Sequence, residues 1–212
     1  VYPSAEHSRF VHSLGAMHVG VPVCPVSPSY ALASADLARL RQIAELVAPG
    51  LIYVEDGKRF QCGLEAVAGH RAEVVAGQNP VPGMPTTAFE QLLESTPTRD
   101  TTRAFEAITP DTVAKILFTS GSTGAPKGVM VTHANLLWAT LACATARGDR
   151  PDGVGACLSP LTHTPVFVSH LLCRVLLGAG AVLLEKFDVG AVLEATQRFG
   201  ITDLPLIAGM VF

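Results

Sequence analysis

The sequence predicts an α/β protein with mostly parallel sheets covered by helices. Three observations lead there. Short apolar, β-branched runs recur along the 212 residues and are too brief to be helices. Segments with apolar residues spaced three and four apart lie between them. Pro and Gly mark the changeovers. Strands that are apolar on both faces and alternate with amphipathic helices describe a buried, largely parallel sheet.

In order, the predicted strands are Val21 to Val26, Leu51 to Val54, Ala72 to Ala76, Val113 to Phe118, Val154 to Leu158, Ala181 to Leu184 and Ile201 to Ile207. Asp36 to Val47 places Leu37, Leu40, Ala44 and Val47 on one helical stripe, and Pro49-Gly50 stops it. Ala134 to Arg147 aligns Leu137, Leu141 and Ala144. Asp188 to Phe199 aligns Val189, Val192, Leu193, Thr196 and Phe199, with Asp188 as N-cap and Gly200 as terminator. Residues 77–112 break the alternation with five prolines and a Thr-rich stretch, and only Phe89 to Glu94 reads as helical there. The expected organisation is an αβ lobe over 1–76, a Pro/Thr-rich surface connection over 77–112 and a second αβ lobe over 113–212.

Composition narrows the function. Apolar residues are 49% of the chain and charged residues 16%, with a net charge of -3 and no basic run. That leaves no electrostatic footprint for nucleic acid. The apolar run from Val166 to Leu184 is broken by His170, Arg174 and Gly178-Ala179-Gly180, so no transmembrane segment is expected. Five cysteines without a Cys-x-x-Cys pair read as small core residues in a reducing, cytoplasmic compartment. Seven histidines show no ligand spacing, and no metal site is expected. No signal peptide is visible. A start at Val1 and an end inside the apolar run at Val211-Phe212 are what a piece of a longer polypeptide would show.

One segment departs from ordinary core. From Phe118 the chain runs Thr119-Ser120-Gly121-Ser122-Thr123-Gly124-Ala125-Pro126-Lys127-Gly128. Glycines let backbone N–H groups approach an anion closely. Thr119, Ser120, Ser122 and Thr123 add hydroxyl donors, and Lys127 adds a compact positive charge. The set describes a polyphosphate cradle. It is not a Walker loop, because Pro126 precedes Lys127 and Gly128 follows it, so the Mg²⁺-binding hydroxyl is missing from its place. Val129 to Val131 reads as a second strand, giving strand–loop–strand.

This segment resembles the phosphate-loop signature of the AMP-forming adenylating enzymes, which comprise acyl-CoA synthetases, luciferases and adenylation domains of nonribosomal peptide synthetases. Thr132-His133-Ala134-Asn135-Leu136 matches the usual continuation into a helix, and Gly20 to Tyr30 resembles the early lobe of acyl-CoA ligases, nearest the feruloyl-CoA synthase branch. Leu158-Ser159-Pro160-Leu161-Thr162-His163 resembles the family's Pro-Leu-aromatic-His segment, with Thr162 where the aromatic would stand. Taken alone, His163 reads equally as a helix-start or core histidine with a satisfied hydrogen bond. His170, seven residues on, could share its helix face.

The resemblance implies two αβ lobes of a larger N-terminal domain. It implies an acid–CoA ligase of fatty or aryl acid metabolism that uses ATP, Mg²⁺ and coenzyme A to convert a carboxylic acid to an acyl-adenylate and then a thioester. Thr119, Ser120, Gly121, Ser122, Thr123, Gly124 and Lys127 would hold the phosphates, and His163 would face the acid. The family's adenine and ribose contacts, acidic Mg²⁺ ligand and C-terminal lysine are not found in these residues, so the chain alone is expected to be inactive and to need the remainder of its polypeptide. Two rivals remain: an adenylation domain that loads a carrier protein, and a non-catalytic nucleotide-binding remnant.

Overall fold

The structure, a computed structural model, describes residues 5–32, 37–67, 69, 71–119, 126–158, 166–184 and 187–206, with side chains from residue 11 onward. It is a mixed α/β protein with parallel sheets, as the sequence predicts. It divides into two compact units. One comprises residues 19–108 and 114–130, the other residues 1–18, 109–113 and 131–212.

The first of these is built on a parallel sheet of β1 (Leu51–Asp56), β2 (Glu73–Gln78) and β3 (Thr87–Ala88). Val75 and Ala76 of β2, the central strand, are each 1% exposed. A buried middle strand is why Val and Ala run consecutively there instead of alternating with polar residues. Around it lie α2 (Pro28–Leu32), which has no buried residue, α3 (Ala38–Val47), which contributes Ile43 and Ala44 to the core, and α4 (Gln61–Ala66), which contributes Leu64. Gly63 of α4 is needed for close packing, since a Cβ there would lie 2.9 Å from that of Ala31. The Pro/Thr-rich stretch holds the expected helix, α5 (Phe89–Leu93), and two elements that were not expected, β3 and α6 (Arg99–Glu106), the last opened by a Thr98–Thr101 capping box. The predicted strand over Val21 to Val26 reduces to one bridge between Val23 and Lys115. Pro22 and Pro25 remove the N–H donors a ladder would use, so only Val23 pairs, through Val23 N–H to Ala114 O and Ile116 N–H to Val23 O.

The other unit contains α1 (Ala5–His18), α7 (His133–Arg147), β6 (Val154–Cys157), a π-helical turn Phe167–Leu172 running into α8 (Cys173–Leu177), β7 (Gly180–Leu183) and α9 (Val189–Phe199). β6 and β7 pair in parallel, and Asp203 bridges Gly155 on the other edge of β6. Among the described residues of the predicted strand Ile201 to Ile207, that bridge is the extent of strand structure, and Pro205 follows it. Ala156, Leu158 and Val192 form a buried cluster flanked by Leu184, Phe187 and Ile201. Asp188 caps α9 as predicted, its Oδ1 accepting from Ala191 N–H at 2.8 Å. The cysteines are corrected in part: Cys157 and Cys173 are buried, but Cys62 is exposed on α4 and Cys24 and Cys143 are half-buried.

Candidate phosphate-binding site

The site is set by two strands, β4 (Val113–Thr119) and β5 (Lys127–Thr132), which are hydrogen-bonded neighbours. β4 begins buried, with Ala114 at 0% and Lys115 at 2% exposure, and ends at an exposed Thr119. The chain leaves there, and Ser120, Gly121, Ser122, Thr123, Gly124 and Ala125 lie outside the described residues. It returns at buried Pro126, and Lys127 opens β5 as an exposed side chain. So short a connection between paired strands is a hairpin connection, since a parallel crossover needs about a dozen residues or more. Among the described residues the chain resumes as strand β5 and not as a helix, as the Pro126-Lys127-Gly128 order predicts.

Two of the predicted phosphate ligands are therefore placed, Thr119 and Lys127, one on each stem of the loop. Among the described residues no carboxylate pairs with Lys127. An exposed hydroxyl and an exposed ammonium with no carboxylate partner among the described residues, flanking a glycine-rich segment, suit an anionic ligand. No group of three His, Cys, Asp or Glu able to hold a metal occurs among the described residues. They therefore name no Mg²⁺ ligand.

After β5, Thr132 caps α7 through a reciprocal pair of bonds: Asn135 N–H to Thr132 Oγ1 at 3.2 Å and Thr132 N–H to Asn135 Oδ1 at 3.1 Å. His133 N–H donates to Thr112 O and Ala134 N–H to Pro110 O, fixing the helix start against residues 109–113. His163 lies outside the described residues, and so does any face it would share with His170. His170 sits in the π-helical turn, with Nδ1 2.6 Å from Ser169 Oγ.

Sequence reasoning missed a buried ion cluster in the unit that holds α7. Arg174 of α8, its side chain 4% exposed, reaches Asp149 Oδ1 at 3.4 Å and Asp203 Oδ2 at 3.3 Å through one guanidinium nitrogen. Arg147 grips Asp149 in a fork, Nε to Oδ1 at 3.1 Å and Nη2 to Oδ2 at 2.5 Å. That bond, chiefly, holds the Asp149 carboxyl below the usual carboxylate range, against the opposing effect of burial. The guanidinium lies flat on β6, where a Cβ on Gly155 would fall 2.5 Å from Arg174 Nε. Arg174 Nη1 is buried with no hydrogen-bond partner. A cavity of about 270 Å³ lies alongside, lined in part by Arg147, His170, Arg174 and Asp203. Two arginines facing two carboxylates leave no net charge to attract an anion, so this cluster is a tie between β6, α8 and residues 202–203. Its signal in the sequence was Arg174 itself, a cation inside an apolar run.

Comparison with known proteins decides the family. The model of the AMP-binding enzyme family matches residues 7–211. The chain belongs to the AMP-binding enzyme family. It is 29% identical over 210 residues to 4-coumarate–CoA ligase CCL1 of Humulus lupulus, covering 96% of this chain and 36% of that relative. It is 34% identical over 125 residues to 4-coumarate–CoA ligase 1 of Arabidopsis thaliana, covering 54% of this chain and 22% of the relative. The fold matches a putative long-chain-fatty-acid CoA ligase of Rhodopseudomonas palustris, with a TM-score of 0.74 at 18% identity over 99% of this chain and 49% of that one. It also matches ATP-bound MatB of the same organism, with a TM-score of 0.64 at 24% identity, covering 92% and 36%. The chain thus spans about a third of the length of the curated relative it matches end to end. No helix among the described residues is long and apolar enough to cross a membrane.

Proposed function

We propose that this chain carries the ATP-phosphate-binding part of an AMP-forming acid–CoA ligase. The observation that supports this reading best is the pairing of β4 with β5, which puts exposed Thr119 and exposed Lys127 on the two stems of one loop. A carboxylate oxygen of a fatty or aryl acid attacks the α-phosphorus of ATP, the bond to pyrophosphate breaks, and an acyl-adenylate forms. The coenzyme A thiol then displaces AMP to give the thioester. Lys127, with the loop hydroxyls and N–H groups from Thr119 to Gly124, holds the β- and γ-phosphates and offsets the charge that grows on departing pyrophosphate. Mg²⁺ arrives with ATP and shares that neutralisation. His163 borders the acid. The remaining contacts come from sequence outside these residues, so the 212 residues alone give no acid-dependent exchange of pyrophosphate into ATP. Five unpaired cysteines support a reducing, cytoplasmic setting.

The test is Lys127→Ala in the natural gene product, with the two half-reactions measured separately. Charge-assisted contacts are worth about 1.5–3 kcal/mol, so adenylate formation slows by roughly 10- to 150-fold. Thioester formation from pre-made acyl-adenylate changes far less, because pyrophosphate has already left. Equal losses in both half-reactions refute the role. Absence of adenylate formation in the unaltered protein with any acid leaves the nucleotide-binding remnant instead.

A further inference from the structure

The contact that holds the two stems of the loop together lies one residue from each placed phosphate ligand. Phe118 immediately precedes Thr119, and Gly128 immediately follows Lys127. The Phe118 ring covers the open face of Gly128: a Cβ built on that glycine would meet Phe118 Cζ at 3.3 Å, Cε1 at 3.4 Å and Ile116 Cγ2 at 3.3 Å. Ile116 and Phe118, two apart on β4, present one face, and Gly128 sits against both from the neighbouring strand. Glycine within a strand is a weak point, because it adds backbone freedom and no side-chain packing, and an aromatic laid across from the next strand compensates for it. A Cβ at 128 would require the Phe118 ring or Ile116 to give way by a few tenths of an ångström, and a larger side chain by more.

We propose that Phe118 is a positioning residue, and that its ring on Gly128 sets the spacing between Thr119 and Lys127, and hence the reach of the lysine to the phosphates. Gly121 and Gly124 lie between the stems in the sequence and glycine does little to restrict the backbone, so a contact between the stems themselves carries the spacing. The proposal rests on the functional reading above but concerns geometry that exists without ATP.

Three variants test it: Phe118→Leu, Phe118→Tyr and Gly128→Ala. In the natural gene product, Phe118→Leu and Gly128→Ala raise KM for ATP in pyrophosphate exchange by about 10- to 100-fold, the range expected when a binding group is misplaced by up to about 1 Å. KM for the acid changes little. Phe118→Tyr keeps the ring and restores KM for ATP. In the Phe118→Leu/Gly128→Ala double variant the losses fall short of their product, because the ring that Ala would displace is gone. In parallel, hydrogen exchange of the 212-residue chain shows faster exchange over residues 119–128 in Phe118→Leu than in the unaltered chain. Unchanged exchange and an unchanged KM for ATP, with only a lower melting temperature, overturn the clamp. An unaltered gene product without pyrophosphate exchange overturns the ligase reading, and hydrogen exchange then judges the clamp by itself.

Discussion

Lys115 lies 2% exposed on β4, between Ala114 and Ile116 and bridged to Val23. Burial pushes its ammonium down from 10.5 to about 8. Below about pH 8 the amine is charged both folded and unfolded, and burial makes that charge less favourable in the folded chain. Between about 8 and 10.5 the folded chain gives up the proton while the unfolded chain keeps it, so stability from this group rises with pH across that window. At about 1.4 kcal/mol per pH unit the rise amounts to about 3 kcal/mol. The thiols of Cys24 and Cys157, raised by burial to about 11 and about 12, work the other way, since they ionise first in the unfolded chain as pH climbs. The informative quantity is therefore the difference between the unaltered chain and Lys115→Met, which keeps most of the stem and discards the charge. Urea midpoints followed by far-ultraviolet circular dichroism from pH 7 to 10.5 measure it. From pH 7 to 10.5 the unaltered chain should gain about 3 kcal/mol relative to Lys115→Met. Parallel profiles for the two proteins would refute the assignment of the cost to Lys115.

Three other outcomes are expected. His163→Ala in the natural gene product should change KM or rate for the carboxylic acid more than for ATP; a lower melting temperature with unchanged acid kinetics would mark it as structural. Arg174→Ala leaves Asp149 and Asp203 without their shared cation and should cost about 3–5 kcal/mol in urea unfolding, while Gly155→Ala, which crowds the same guanidinium, should cost about 1–3 kcal/mol; losses below about 1 kcal/mol in both would show that the cluster ties nothing together. Leu137, Trp138 and Leu141 leave an apolar face on α7 with Trp138 75% exposed, so the 212 residues alone should bind a hydrophobic dye, the only tryptophan should emit like indole in water, and Trp138→Glu should weaken dye binding.

How far the sequence could be read depended on whether a feature was local. α7 was visible because its apolar spacing and the Thr132-to-Leu136 start lie within one stretch of chain, but of the predicted stripe Leu137 and Leu141 are exposed, and Leu136, Thr140 and Ala144 are the buried residues. The same holds for α9 between Asp188 and Gly200. β1, β2, β4, β6 and β7 were visible as short apolar, β-branched runs between turn signals, although only β2 is a central strand buried on both faces. The run over Val21 to Val26 was apolar for a different reason, and its two prolines were the evidence that it would pair at one residue only. α4 and α6 escaped because Gln61–Ala66 is little longer than one turn and Arg99–Glu106 contributes no buried residue, so neither carries an apolar stripe. Periodicity has nothing to register where packing supplies so little.

The site divides along the same line. Thr119 and Lys127 could be proposed as phosphate ligands because loop chemistry is written contiguously, with glycines, hydroxyls and one lysine in a single run. Arg174, Asp149 and Asp203 are 25 and 29 positions apart along the chain, and nothing in the composition around any of them names the others. Only the fold brings them together, at Gly155, whose missing side chain is what admits the guanidinium. Phe118 shows the intermediate case. Its place before the loop is evident in the sequence, but its partner Gly128 looks like one more loop glycine until the strands are paired. A glycine there serves packing against an aromatic, whereas Gly121 and Gly124 are expected to serve the ligand. The difference is measurable: Gly128→Ala should respond to what stands at Phe118, and Gly121→Ala or Gly124→Ala should not.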